Sequence, residues 1–230
     1  MRCKRGDRAI GTTPEFPRPK YETLKLQSFK MSVNPEGTWT IEDATTLRGQ
    51  SYTGTVKIYP LDRLYQVIWL TDRYHFAGLG FVEDNFLFTG WGVDSSYCVV
   101  LYRINADGTL EGRWTTPQSL GQVGWERATG GTPGELEGLY QVAGAYSDNR
   151  MPYTNTLAIG KAGDVYQLSS SRSQQSRGIG LRLNDWLLVN WGYGRNYGVI
   201  AYEIDRDAAT GHWTAPGADK VATERLAKIC

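Results

Sequence analysis

The sequence predicts an all-β protein, an antiparallel meander made of two tandem repeats. Three observations carry that expectation. Anchor residues return about a hundred positions later in the same order, apolar residues alternate with period two, and clusters of Gly, Asn, Asp and Pro bound the alternating runs.

The chain opens on a basic arm, residues 1–33. Residues 1–30 carry eight Lys/Arg against three Asp/Glu and hold Pro14, Pro17 and Pro19, three of the nine prolines, without a hydrophobic period. Such a segment is expected to lie loose of any core. It has no apolar stretch of signal-peptide length, and nothing in the chain approaches the ~18 apolar residues of a membrane span. A cytoplasmic protein without a membrane partner is the expectation. Beyond the arm, 17 basic residues face 21 acidic ones, a balance that argues against a nucleic-acid partner, because phosphate contacts need clustered Lys and Arg. Cys3, Cys98 and Cys230 are an odd number, two of them at the chain ends, so no disulfide framework is expected. Arg5-Gly6-Asp7 spells an integrin tripeptide and is read as chance.

The first repeat, residues 34–128, offers alternating runs at 37–41, 53–59, 64–70, 78–82, 86–91, 97–104 and 109–115, joined by turns such as 60–62 and 105–108. Val100, Tyr102 and Ile104 fall on one face of their run, and Ile200, Tyr202 and Ile204 do the same in the second repeat. Short turns between consecutive strands make them antiparallel neighbours. A turn of helix is expected near Glu126 and another over 219–226. Residues 129–136, rich in Gly, form a linker to the second repeat, residues 137–230.

The repeat register is tight. Gly37-Thr38-Trp39 returns as Gly138-Leu139-Tyr140; Gly78-Leu79-Gly80 as Gly178-Ile179-Gly180; Trp91-Gly92 as Trp191-Gly192. Tyr97, Tyr102 and Ile104 return as Tyr197, Tyr202 and Ile204. Gly112-Arg113-Trp114-Thr115 returns as Gly211-His212-Trp213-Thr214, and Glu126-Arg127 as Glu224-Arg225. Each copy supplies six or seven strands. Two such meanders close either one barrel of about twelve to fourteen strands or two small barrels, and the single barrel is preferred, because its width would leave room for a ligand.

Gly37-Thr38-Trp39, opening the first strand of a meander, resembles the G-x-W that opens barrels of the calycin group, the lipocalins, avidins and fatty-acid-binding proteins. The pattern from Tyr102-Arg103-Ile104 through Asp107-Gly108-Thr109 to Trp114-Thr115 also resembles bacterial proteins labelled fibronectin-binding. The calycin resemblance implies a barrel that holds a small molecule, with the Trp closing its floor.

Candidate chemistry is sparse. The two histidines, His75 and His212, are not equivalent; His212 reads as a solvent-facing residue and His75 as a loop residue with an acid–base alternative. No His, Cys, Asp or Glu spacing resembles a zinc site, so neither metal nor cofactor is expected. Glu126 and Glu224, repeated with their arginines, read as braces of the barrel ends or as twin carboxylates at one mouth. Aromatics are the richer signal. Trp91 and Trp191 end equivalent strands before a glycine, Tyr97 and Tyr197 begin the next ones, and Trp69 stands where the second copy has Ser170. These five are the candidate ligand-binding residues. The mouth carrying Trp69 and residues 72–75 is the preferred ligand entrance, and its counterpart, residues 170–177, is soft and polar.

The function these features favour is a binding protein for a small apolar or glycosidic molecule. The alternative is a cofactor-independent isomerase or cyclase, with Glu126, Glu224 or His75 moving a proton in the same cavity.

Overall fold

The computed structural model describes residues 33–119, 121–146 and 151–229, apart from the side chains of Ser173 and Gln174. The arm, with Cys3 and Arg5-Gly6-Asp7, and Cys230 at the other end lie outside the described residues.

Sixteen antiparallel strands account for nearly all of the regular structure, each repeat contributing eight. The first repeat holds β1 (Gly37–Ala44), β2 (Gly54–Leu61), β3 (Leu64–Thr71), β4 (His75–Glu83), β5 (Phe86–Gly92), β6 (Cys98–Ile104), β7 (Leu110–Thr115) and β8 (Gly124–Thr129). The second holds β9 (Gly138–Ala145), β10 (Tyr153–Ala162), β11 (Val165–Ser170), β12 (Ser173–Leu183), β13 (Trp186–Gly192), β14 (Tyr197–Asp205), β15 (Ala208–Thr214) and β16 (Ala222–Lys228). Seven of the eight were legible in the alternation. The eighth, β8 and β16, replaces the expected helical turns. Its inward positions are Gly124, Glu126 and Ala128, and Ala222, Glu224 and Leu226, and a carboxylate facing inward hides the period-two pattern that identifies a strand.

These strands close two eight-stranded barrels, not the single wide barrel preferred from the sequence. Neither barrel is one repeat. The first runs β1-β2-β3-β4-β5 and is completed by β14-β15-β16; the second runs β9-β10-β11-β12-β13 and is completed by β6-β7-β8. The chain therefore leaves the first barrel after β5, completes the second with β6–β8, continues around it through β13, and returns with β14. Trp91 pairs with Gly198 at one crossing and Trp191 with Cys98 at the other. The crossing segments touch, Val93 N donating to Asn196 O at 3.0 Å.

Each barrel gathers one apolar set in its interior. Trp39, Val56, Val67, Trp69, Ile200, Tyr202 and Leu226 pack inside the first, and Val100, Tyr102, Tyr140, Leu157, Leu168 and Val189 inside the second. Trp39 is fully buried, and its indole N–H donates to Pro35 O at 3.0 Å. Tyr140 stands at the equivalent place and its hydroxyl donates to Leu136 O at 2.9 Å. Both reach the carbonyl four residues upstream, which explains how tyrosine replaces tryptophan there.

The outer faces of β4–β6 and β12–β14 form a third core between the barrels: Phe81, Phe88, Val99, Leu101, Leu181, Leu188, Val199 and Ala201. This is why β14 is buried on both sides over Tyr197–Tyr202, although its sequence shows one committed inner face. Asn190, fully buried on β13, donates from Nδ2 to Trp91 O at 2.8 Å and to Gly198 O at 2.9 Å, stapling the second barrel to the end of the β5–β14 pair. Arg113 on β7 reaches across to Glu83 on β4. Among the described residues no helix is long and apolar enough to cross a membrane.

Candidate functional site

Each barrel holds one carboxylate between two phenols, Glu224 buried and Glu126 half-buried. In the first barrel the hydroxyl of Tyr52 donates to Glu224 Oε2 at 2.5 Å, that of Tyr202 donates to Oε1, and Trp69 Nε1 donates to Tyr202 Oη at 2.8 Å. In the second, Tyr102 donates to Glu126 Oε1 and Tyr153 to Oε2, the latter at 2.7 Å. Burial raises the proton affinity of both carboxyls, and the phenol donors oppose that rise without cancelling it. The carboxylates are not twins at one mouth. Their neighbours Arg127 and Arg225 point to solvent on the opposite strand face, as the pleat requires, so the Glu-Arg pairs do not brace the barrel ends together.

The surroundings of the two sets differ. Above Glu224 the first barrel is filled: Trp69 stacks on Phe76 with centroids 4.9 Å apart, and Phe76 packs on Trp91 at 4.7 Å. In the second barrel Trp191 remains, but Ser170 takes the place of Trp69 and Ser176 that of Phe76. The result is a cavity of about 330 Å³ lined by Trp114, Tyr153, Trp191, Glu126 and Cys98, with Ser170, Ser176 and Arg172 toward the turn between β11 and β12. Arg172 lies over the Tyr153 ring, 4.3 Å from its centroid. Its counterpart in the first barrel's turn, Arg73, instead donates to Gln50 Oε1 at 3.2 Å and Ser51 O at 3.1 Å. The indole N–H of Trp114 is buried without a hydrogen-bond partner.

The candidate residues are thus dispersed. Trp69 and Trp91 belong to the stack that fills the first barrel, where the preferred entrance was expected. Tyr97 and Tyr197 are buried in the core between the barrels. Tyr197 also donates to Arg177 O at 2.7 Å. Trp191 lines the cavity, and so does Glu126. Glu224 is 1% exposed inside the first barrel, and His75 is exposed at the start of β4. Sequence reasoning passed over Trp114, Tyr153, Ser170, Arg172 and Ser176. The signal was present in the contrast between repeats: a serine where the other copy needs a tryptophan leaves space, not an uninteresting surface.

Cys98 is poorly suited to nucleophilic chemistry. Burial, reinforced by the charge of Glu126, pushes its thiol well above the ordinary range and keeps it protonated. Among the described residues no three His, Cys, Asp or Glu side chains converge as a metal would need. The groups available to a ligand are therefore aromatic faces, neutral hydroxyls and amides, one carboxyl of raised proton affinity and one guanidinium.

Comparison with protein-family models, with curated proteins and with solved structures gives no significant match.

Proposed function

We propose that the protein binds a small molecule in the cavity of the second barrel. One observation carries this reading: the two barrels share a scaffold and a Tyr-Glu-Tyr set, yet the side chains that fill the first, Trp69 and Phe76, are replaced in the second by Ser170 and Ser176. An open cavity beside a half-buried carboxyl forgoes packing that the other copy makes, and an occupant accounts for its presence in one copy. The volume lies at the lower end of the about 300–1,000 Å³ typical of small-molecule sites, and an aromatic wall with a few convergent polar groups is the usual composition of such sites. The closed eight-stranded meander opening on Gly37-Thr38-Trp39 supports a calycin-like barrel as the frame.

The test is to rebuild the first barrel's packing in the second with the double substitution Ser170→Trp, Ser176→Phe. Native mass spectrometry of protein from its expression host, followed by tryptophan-fluorescence titration with metabolites, is expected to detect a ligand in the parent. The double variant should lose it while keeping the parent's thermal stability or exceeding it. Equal binding by the two proteins would place the ligand elsewhere.

A second reading is an isomerase or cyclase. Glu126 faces the cavity, and burial raises its proton affinity above that of an ordinary carboxyl, the direction that suits a general acid–base. It would take a proton from one atom of the substrate and return it to another, with no net oxidation. Glu126→Gln would then bind ligand unchanged and convert none of it.

A further inference from the structure

Resting on the reading of this cavity as a ligand site, we propose that the ligand is an elongated neutral saccharide, one ring inside the cavity and the next in a groove leading out of it. The groove, about 220 Å³, shares Cys98, Ser176 and Trp191 with the cavity, so the two spaces adjoin at one indole. Beyond Trp191 it is lined by Ser95, Ser96, Gln118 and Tyr193, and by the mostly buried Tyr97. Tyr193 is 56% exposed. Gln118 Nε2 donates to Ser95 O at 2.6 Å, which ties the 3₁₀ turn Pro117–Ser119 to the β5–β6 crossing and gives the groove a fixed wall.

The chemistry of this lining selects among ligands. The groove contains no charged side chain, so an ionic group there has nothing to pair with. The one guanidinium, Arg172, lies in the cavity over the Tyr153 ring. The groove is open and rich in hydroxyl and amide groups, whereas a lipid tail needs a continuous apolar tunnel. A flat aromatic molecule would be satisfied by the cavity and would leave the groove unused. A pyranose chain uses both: its C–H faces stack on Trp191 and Tyr193, and its hydroxyls meet Ser, Gln and the Glu126 carboxyl in place of water.

The contrast between repeats extends to the groove, at Ser95, Gln118 and Tyr193 as well as at the shared Ser176. Ser95, Gln118, Ser176 and Tyr193 are matched in the first barrel by Arg195, Gly217, Phe76 and Val93. There the Arg195 guanidinium lies beside Gly217, 3.9 Å from where a side chain on that glycine would begin. The exposed ring and the neutral polar wall are thus features of the side that has the cavity.

The experiment is a fluorescence and calorimetric titration of the full chain with methyl glycosides and the matching di- and trisaccharides of glucose, N-acetylglucosamine, galactose, mannose and xylose. Indole and 8-anilinonaphthalene-1-sulfonate serve as non-saccharide probes. One sugar series is expected to bind, the disaccharide roughly tenfold more tightly than the methyl glycoside, the order expected from one added stacked ring. Tyr193→Ala and Gln118→Ala should return the disaccharide to monosaccharide affinity and leave the methyl glycoside unaffected. Ser170→Trp, Ser176→Phe should abolish both. A sugar bound without gain on lengthening overturns the groove. Binding of indole or the sulfonate, lost in the double variant, with no sugar bound, overturns the saccharide and keeps the cavity as a site. No binding by any probe overturns both readings.

Discussion

Glu224 carries a phenol on each carboxylate oxygen, and Glu126 repeats the arrangement in the second barrel. Removing such an acceptor leaves two hydroxyls without their partner in an apolar interior, so Glu224→Ala is expected to cost about 2–5 kcal/mol, measured by urea unfolding. The same residues set a pH dependence. Their folded proton affinity is raised by burial, so the folded state holds protons that the unfolded chain releases near its ordinary carboxyl pKa of about 4.3. Their contribution is therefore complete below that pKa and declines as pH rises through the folded values. Glu126→Gln with Glu224→Gln, which keeps a neutral side chain at both sites, should remove this decline. Unfolding free energies measured from pH 4 to pH 9 would check it, and an unchanged slope in the double variant would assign the pH dependence to other groups.

At the scale of elements, the points where the chain passes between barrels set the architecture. Each is a Trp-Gly step followed five residues later by a tyrosine. A Cβ on Gly92 would lie 2.6 Å from Cδ1 of Tyr97, and one on Gly192 at 2.6 Å from Cδ1 of Tyr197. The glycines are there because a tyrosine ring lies on their backbone, and that explains why the motif recurs. Gly192→Ala must push the Tyr197 ring out of the core between the barrels and is expected to cost about 1–3 kcal/mol, lowering the melting temperature by several degrees. The sequence showed the recurrence of Trp, Gly and Tyr but not its cause. Stacking on a ligand and packing on a backbone predict the same residue types.

For the whole molecule, the consequence of strand exchange is that neither repeat completes a barrel with its own strands. A single repeat, residues 33–133, carries the five strands of one barrel and the three strands that complete another. Two such chains can exchange these strands as the two repeats do here, and only association covers the apolar faces of Phe88, Val99 and Leu101. The half-chain is expected to be a homodimer by light scattering. A folded monomer would mean that β5 turns back onto β6 within one repeat, and that the tandem linkage is what imposes the exchange.

Seven of the eight strands of each repeat, their antiparallel sense and the duplication were legible in the sequence, because alternation and turn chemistry are local and a repeat is visible in any register. So was the contrast between Trp69 and Ser170. Only the tertiary structure decided that there are two barrels and that each draws on both repeats, since β5 can pair with β6 or β14 using the same backbone groups and the same inward residues. It also decided where the space lies. Volume is what remains after every neighbour is placed, so a serine at Ser170 is a surface residue or the wall of a cavity according to strands that come from the other end of the chain.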